Sequence, residues 1–297
     1  MKKQLFIALQ YIVPHHLISR TIGLLADSTI PGIKNPLTNW FVKQYCVDMS
    51  EAQEENPEAY ESFNDFFTRP LKDGMRPLPA DEDLVVCPAD GAISQIGGIT
   101  FSRVYQAKGH DYSLTELVGG DPELAREFED GKFATVYLSP KDYHRVHMPV
   151  TGTLRKMIHV PGRLFSVNQT TAENVPRLFA RNERAVCIFD TEKGPMAVIL
   201  VGAMIVASIE TVWAGLVTPH KRTVKTFDYS SDAHKPIVLE RGAEMGRFKL
   251  GSTAIVLFGK DQVKWAEELA ETVPVRMGQA MSVSERNDEE PKEVKGE

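Results

Sequence analysis

The sequence lacks the features of several large protein classes. Its 297 residues include 34 lysines and arginines against 40 aspartates and glutamates, a net charge of −6, so no nucleic-acid partner is expected. The three cysteines, Cys46, Cys87 and Cys187, are far apart and form no C-x-x-C pair. A disulfide framework or a zinc site is therefore not expected, and this cysteine usage fits a reducing compartment.

The common motifs of nucleotide-binding proteins and hydrolases are absent as well. No G-x-x-x-x-G-K-[ST] and no G-x-G-x-x-G occurs, which argues against ordinary nucleotide binding. No G-x-S-x-G occurs, which argues against the nucleophile turn of α/β-hydrolases. With 42% hydrophobic and 25% charged residues, the composition is that of a globular protein of one large or two modest domains.

The N-terminal segment is apolar, but it has no run long enough to cross a membrane. Spanning needs roughly 20 apolar residues, and Gln10, Pro14, His15 and His16 interrupt this run. The Pro-His-His sequence also stands where a signal peptide would have small residues. We expect two short apolar helices with basic edges, which could lie in the plane of a membrane surface or pack on the core.

From residue 84 onwards, short apolar runs alternate with glycine, proline and aspartate. This spacing predicts a β-rich domain, either a sandwich or a barrel, with strands at 85–87, 92–96, 134–138, 152–158, 185–189, 197–208 and 254–258. With the helical N-terminus, the expected fold class is α+β. The expected regions are a helical, membrane-associated segment 1–60, a β-rich catalytic domain 61–280 and a disordered tail 281–297.

The stretch from Phe248 to Phe258 is the centre of the sequence. Residues 254–258 are all apolar, which is the pattern of a strand buried on both faces. Just before them, Gly251 leaves its carbonyl unshielded by any Cβ, and the hydroxyl of Ser252 can lie against that carbonyl. Two interpretations stay open here: a turn that leads into a core strand, or a peptide bond attacked by its own serine.

Two other stretches carry groups that could assist such an attack. Asp90, in residues 88–91 with the sequence PADG, suits either a turn or a carboxylate that orients an imidazole. His144 and His147 lie three apart between two prolines. They suit a structural role or a proton shuttle, and a metal pair would lack a third ligand nearby.

Residues 162–168, with the sequence GRLFSVN, combine a turn, a cation, a hydroxyl and an amide. An anion site and a solvated loop fit this stretch equally. Its candidate side chains are Arg163 and Ser166.

Taken together, Asp90, His147 and Ser252 supply the orienter, base and nucleophile of an activated hydroxyl. Attack of Ser252 on the Gly251 carbonyl would convert the peptide into an ester, and elimination across the serine Cα–Cβ bond would free the upstream chain. The dehydroalanine left behind would hydrolyse to a ketone, a pyruvoyl group. Such a ketone can form a Schiff base with a substrate amine and act as an electron sink, so that an α-amino carboxylate can lose carbon dioxide.

These motifs together resemble the phosphatidylserine decarboxylase family, in its bacterial membrane-associated form. The resemblance rests on LGST at 250–253 with the apolar strand after it. It rests equally on residues 88–91, 143–147 (YHRVH) and 162–168, which follow in the order that the family has. It runs from the first helices to the strand after Ser252 and leaves out the tail.

The resemblance implies a role for each candidate residue. Asp90 and His147 would form the charge relay for self-cleavage between Gly251 and Ser252, and Ser252 would become the pyruvoyl group that binds the substrate amine. His144 would lie beside the substrate carboxylate and assist decarboxylation. Ser166 is a further substrate-binding candidate. The product would be phosphatidylethanolamine, made in the last step of its biosynthesis.

The resemblance also implies the partners of the chain. The expected prosthetic group is the covalent pyruvoyl, with no metal, and the expected substrate is a membrane phospholipid. Chains 1–251 and 252–297 should stay together, and a homodimer is expected. The N-terminal helices would hold the protein peripherally on the cytoplasmic face of the cell membrane. Arg163 and Lys156 are candidates for holding the lipid phosphate.

Two other functions compete with this interpretation. A hydrolase would keep Ser252 as an intact nucleophile in an unbroken chain. A non-enzymatic scaffold at a membrane surface would use Gly251 and Ser252 only as a turn.

Overall fold

The computed structural model describes residues 2–204, 208–218, 223–230, 235–249 and 252–284. This part of the chain combines a large antiparallel sheet, a smaller sheet and short helices, which confirms the α+β class. Gly251 and residues 285–297, which form most of the expected tail, lie outside the described residues.

The three longest described helices form the N-terminal region: α1 (Lys2–Ile12), α2 (His15–Ala26) and α3 (Pro31–Tyr45). Shorter helices are α4 (Phe63–Phe67), α5 (Leu114–Leu117), α6 (Pro122–Arg126), α7 (Gln169–Ala172) and α8 (Leu178–Arg181). Side-chain caps fix the start of several of them. The Ser62 hydroxyl, for example, accepts the backbone N–H of Asp65 and so satisfies a free donor of α4. No described helix is both long and apolar enough to cross a bilayer.

The large sheet contains β1 (Gly91–Gly98), β4 (Lys132–Leu138), β6 (Gly152–Val160), β7 (Arg184–Thr191), β8 (Gly194–Val201), β11 (Lys225–Asp228), β12 (Val238–Leu239), β14 (Ser252–Phe258) and β15 (Pro274–Val275). Their order is β11-β6-β7-β8-β14-β4-β1-β15, with β12 also paired to β6, and the pairing is antiparallel throughout. Because this path has two ends, the sheet is not the closed barrel that the strand spacing also allowed.

The small sheet contains β5 (Arg145–His147), β9 (Ser208–Thr211), β10 (Gly215–Leu216) and β13 (Glu244–Lys249), in the order β10-β9-β13-β5. A separate hairpin joins β2 (Arg103–Ala107) to β3 (His110–Ser113). Only residues 250 and 251 connect β13 in the small sheet to β14 in the large one. The expected cleavage site therefore lies where the chain passes from one sheet to the other.

Strand β14 lies in the middle of the large sheet and is buried on both faces, as its apolar sequence predicts. Ala254, Val256 and Phe258 join a core cluster that also includes residues of the small sheet and of α3 and α4. Ile255 and Leu257 join a second cluster on the opposite face, which α5, α6 and α8 cover. The alternation of strand side chains thus gives the protein two cores that share one sheet.

The N-terminal helices carry large apolar side chains that no described residue covers. Ile12, Leu17 and Leu24 are 64–78% exposed, and Leu5 and Trp40 are also exposed. One face of these helices nevertheless packs on the rest of the chain. Its contacts include the hydrogen bond from the Ser166 N–H to Gln10 Oε1 at 2.9 Å and the edge-on contact of the His15 and Phe165 rings.

The first residues of the expected tail belong to the fold. Met281 and Ser282 are buried, the Met281 N–H donates to the Val85 carbonyl at 2.8 Å, and Val283 bonds to Lys264. These bonds correct the expected boundary at residue 281, because a segment with buried side chains and paired backbone groups is not disordered.

Candidate active site

Three strands of the large sheet bring the segments of Asp90 and Ser252 to one end of it. Strand β4 lies between β1 and β14, and both run antiparallel to it. Its last residue, Leu138, pairs with Ser252, and the preceding Tyr137 pairs with Ala92. The start of β1, which follows Asp90, and the start of β14 therefore flank the end of one strand. They are two strand spacings apart, roughly 10 Å.

Gly91 allows β1 to approach β4 closely at this end. A Cβ atom added to Gly91 would stand 2.1 Å from the carbonyl oxygen of Tyr137. Since that distance is well inside van der Waals contact with backbone, no larger residue fits. The close packing of β1 on β4 thus explains why a glycine follows Asp90, in addition to the turn that the sequence suggests.

The Asp90 carboxylate is buried and is held by Arg76, not by a histidine. Arg76 donates from Nε to Oδ1 at 2.9 Å and from Nη2 to Oδ2, and the Met277 N–H donates to Oδ1 at 2.8 Å. Arg76 also donates to Glu51 at 2.6 Å. Burial opposes the charge of Arg76, but the hydrogen bonds to two carboxylates outweigh this effect and raise its pKa.

His147 lies beside the Asp90 segment, although the two side chains share no hydrogen bond. The His147 N–H donates to the Pro88 carbonyl at 2.8 Å. Its ring Nδ1 lies 2.7 Å from the Gly242 carbonyl, which can only accept, so Nδ1 carries the proton. Burial lowers the pKa of His147, which leaves Nε2 with a lone pair that accepts from the Tyr143 hydroxyl at 3.0 Å.

His144 is fully buried against an aromatic ring. Its Nδ1 donates to the Asp142 carbonyl at 2.8 Å, and its ring centre lies 3.9 Å from that of Phe67. Its Nε2 has no hydrogen-bond partner. Burial lowers the pKa of His144 to about 3, so this imidazole is neutral at physiological pH. His144 directly precedes β5 and His147 is its last residue, and among the described residues no group of three potential metal ligands occurs.

A cavity of about 470 Å³ opens beside this strand end. Its wall includes Arg69, Arg76, Asp90, Tyr137, Lys141 and Tyr143. A smaller cavity of about 170 Å³ shares Ala92 and Tyr137 with it and reaches Val167, next to Ser166. The large cavity thus offers space for a polar molecule one strand away from Ser252.

Comparison with known sequences identifies the family. The model described as phosphatidylserine decarboxylase matches residues 63–282, and a second model, described as PSD, matches residues 5–46. The chain belongs to the phosphatidylserine decarboxylase family. Similar proteins include the phosphatidylserine decarboxylase proenzymes of Pseudomonas fluorescens strain Pf-5 and Pseudomonas aeruginosa strain LESB58. They are 69% and 65% identical to this chain, over 95% and 96% of it and 98% and 99% of their own lengths.

The four motifs that resemble the decarboxylase family do not all meet at the cavity. Arg163 is exposed, and its backbone pairs with Asn182 and Arg181. Lys156 lies on β6, three strands away from β14, so it stands well apart from Ser252. Ser166 is half-buried beneath α1 and reaches the edge of the smaller cavity only through its neighbour.

Sequence reasoning missed several groups that bond to the residues of the candidate site. Arg76 lies outside every motif, and nothing in its neighbourhood marks it as the partner of Asp90. The carbonyl of Gly242 is equally invisible, because any residue can supply it. Tyr143 stands inside the YHRVH motif, and its spacing of four residues from His147 was a signal that could have been used.

Proposed function

We propose that this chain is a phosphatidylserine decarboxylase that makes its own prosthetic group by cutting the bond between Gly251 and Ser252. The observation that carries the proposal is the position of Ser252, the first residue of the central strand, directly across from Leu138. The segments of Asp90 and His147 reach the same end of the sheet. The family and the proenzyme names of its relatives agree with this reaction.

His147 is the base for cleavage in this proposal. The Gly242 carbonyl holds its Nδ1–H, so Nε2 is the atom that can accept the serine proton. This carbonyl orients the ring, which is the task that a carboxylate performs in a catalytic triad. Burial lowers the pKa of His147, and the Gly242 carbonyl, Glu244 and, least of these, the negative charge of Asp90 oppose that effect; in this proposal Asp90 acts through that charge. For cleavage to start, Nε2 must exchange its Tyr143 partner for Ser252.

The pyruvoyl group made from Ser252 supplies a ketone that captures the substrate amine and takes up the electron pair released with carbon dioxide. His144 suits a place beside the carboxylate that leaves. Its neutral ring packs on Phe67 in weakly polar surroundings, which would favour loss of charge as carbon dioxide departs. Its unpartnered Nε2 can accept a hydrogen bond from the headgroup.

We further propose that the exposed apolar faces of α1 and α2 hold the enzyme peripherally on the cytoplasmic face of the cell membrane. Replacing Ile12, Leu17 and Leu24 together by serine should lower binding to phosphatidylethanolamine–phosphatidylglycerol vesicles more than about 1,000-fold, because each buried side chain contributes roughly 1.5–3 kcal/mol. Phe101, which is 90% exposed in the turn before β2 and lies outside these helices, supplies the control as Phe101→Ser. Equal flotation of both variants would contradict membrane docking through these helices.

Chains 1–251 and 252–297 stay together in this proposal, because β14 is hydrogen-bonded along both edges to strands of the larger chain. The homodimer stays a prediction, which sedimentation of the cleaved enzyme in detergent tests.

Intact mass under denaturing conditions tests the cleavage itself. The wild type should give two chains split after Gly251, with the smaller chain carrying a ketone in place of the amine of Ser252. Ser252→Ala should stay whole. A single unmodified chain in active wild-type protein would refute self-cleavage; labelling of Ser252 by a serine-directed inhibitor would then identify a hydrolase. Unchanged lipid turnover in cells that carry only Ser252→Ala would identify a scaffold.

A further inference from the structure

Arg69, just after α4, is a buried cation with two unpaired donor nitrogens. Its side chain is only 3% exposed, and Nη2 donates to the Lys141 carbonyl at 3.1 Å. Its Nε and Nη1 atoms have no hydrogen-bond partner, and it forms no ion pair with a carboxylate in the described part of the chain. Burial lowers the pKa of this guanidinium, which is the expected sign of a charge removed from water without full compensation.

A second buried arginine shows how this protein satisfies such a group when its role is structural. Arg184 is as deeply buried as Arg69, yet its donors reach four backbone carbonyls, those of Glu116, Leu117, Ala180 and Asn182. Because buried donors are nearly always satisfied, the two idle nitrogens of Arg69 need an explanation outside the chain's own contacts.

Arg69 lines the large cavity at the site and not a sealed part of the core. Tyr137 and Ser139, the two neighbours of Leu138 in the chain, line the same cavity, and Leu138 pairs with Ser252. The Phe66 ring lies under the guanidinium, 5.5 Å from its central carbon, and fixes its plane. The wall that carries Arg69 therefore continues to the end of β4 that Ser252 flanks.

None of the four carboxylates that line the cavity bonds to Arg69, because each has other hydrogen-bond partners. Asp90 and Glu51 both bind Arg76, and Asp142 accepts the Ser139 N–H at 2.7 Å. Asp48, the remaining one, bonds to Ser50. Lys141 is exposed at the rim and adds positive charge there.

We infer that Arg69 binds the phosphate diester of the substrate headgroup. The inference rests on the proposed function and adds a binding residue to it. A phosphate keeps its negative charge throughout the reaction, so a fixed cation stabilises it in the bound substrate and in the transition state alike. A carboxylate loses its charge as carbon dioxide leaves, so a cation bound to it would stabilise the ground state and slow the reaction. Guanidinium geometry also matches two phosphate oxygens.

The test compares Arg69→Gln and Arg69→Lys with the wild type and with Arg126→Gln as a matched control. Arg126 is exposed on α6 and bonds only to Glu123 in the described residues. Intact mass first establishes that each protein cleaves itself. Calorimetry then measures the Kd of dihexanoylphosphatidylethanolamine, which has the phosphate but no carboxylate, and turnover of dihexanoylphosphatidylserine gives KM and kcat.

We expect the Kd of the product and the KM of the substrate to rise together by roughly 10- to 100-fold in Arg69→Gln, with a smaller change in kcat. Arg69→Lys keeps the positive charge but loses the two-pronged guanidinium geometry. Its Kd and KM should lie between those of the wild type and those of Arg69→Gln. The melting temperature of Arg69→Gln should equal or exceed that of the wild type, because an uncompensated buried charge is removed.

An unchanged Kd for the product would overturn the inference, even if KM for the substrate rises, since that result would assign Arg69 to the carboxylate. An equal loss of product binding in Arg126→Gln would also overturn the inference, because it would show that removing any positive charge weakens binding. Failure of the wild type to cleave would refute the proposed function instead, and the mass measurement separates that result from those on Arg69.

Discussion

The ion pair between Arg76 and Asp90 predicts unequal costs for removing its two partners. Both side chains are at least 89% buried. Arg76→Met would leave the Asp90 carboxylate with the Met277 N–H as its one described hydrogen bond, and an uncompensated buried charge of this kind costs about 3–5 kcal/mol. Asp90→Asn would leave Arg76 paired with Glu51, so we expect the smaller cost of lost charge-assisted hydrogen bonds, about 1.5–3 kcal/mol.

Urea unfolding measures these costs when every protein carries Ser252→Ala, so that all chains stay whole and comparable. The double variant should be more stable than the sum of the two single changes predicts, because each single change already removes the interaction between the two side chains. Equal costs for the two single variants, or a cost below about 1 kcal/mol for Arg76→Met, would refute the account of this pair.

When Ser252 is retained, the same substitutions distinguish a role in stabilising the fold from a role in the cleavage reaction. Asp90→Asn removes the negative charge that favours a proton on His147, so cleavage should slow by more than its stability cost explains. Arg76→Met keeps that charge and releases it from its partner, so cleavage should continue in the fraction of protein that folds. Pulse–chase labelling of newly made chains gives both rates. Slower cleavage in Arg76→Met than in Asp90→Asn would contradict a role for the Asp90 charge.

Three further predictions follow from the strand end and its histidine. Tyr143→Phe frees Nε2 of His147 from the bond that it must break, so cleavage in pulse–chase should accelerate by up to roughly tenfold; slower cleavage would mean that the hydroxyl assists the reaction. Because burial lowers the pKa of His147, its base form persists below pH 6.5. The cleavage rate should therefore be constant around pH 7 and fall only in more acidic buffer. A pH profile of the cleavage rate with its midpoint above pH 6.5 would contradict the assignment of His147 as the base. Gly91→Ala should displace β1 from the Tyr137 carbonyl and lower the melting temperature, whereas Gly97→Ala on the same strand, whose nearest neighbour lies 3.8 Å away, should not.

The fold was predictable where local pattern alone decides it. Apolar runs between turns located most strands, and the run from Ala254 to Phe258 identified the strand with two buried faces. Whether those strands close into a barrel depends on pairing between distant segments, such as β1 with β15, and a single sequence does not record such pairings. The tail was placed too early because Met281 is stabilised by Val85, far away in the chain.

The residues of the candidate site stay predictions, and the hydrogen bonds around them were not predictable from the sequence. The motifs that contain Asp90, His147 and Ser252 do reach one end of the sheet. Asp90 and His147 do not bond to each other, because Arg76 binds the Asp90 carboxylate and the Gly242 carbonyl accepts the Nδ1–H of His147. Nothing in the sequence marks Arg76 or Gly242 as these partners. Arg69 was overlooked for a related reason: its significance lies in the hydrogen bonds that it does not make.

Strand β14 is bounded by β4 on one edge and by β8 on the other, and both belong to the chain that precedes Ser252. Before cleavage, unfolding and refolding are reactions of one molecule, independent of protein concentration. If the chain is cut before Ser252 as we propose, the same transition releases two molecules, and refolding requires them to find each other again, so its yield depends on dilution. The native state of the mature enzyme would then be maintained by a slow rate of unfolding, because a complex that has come apart has no covalent link to restore it.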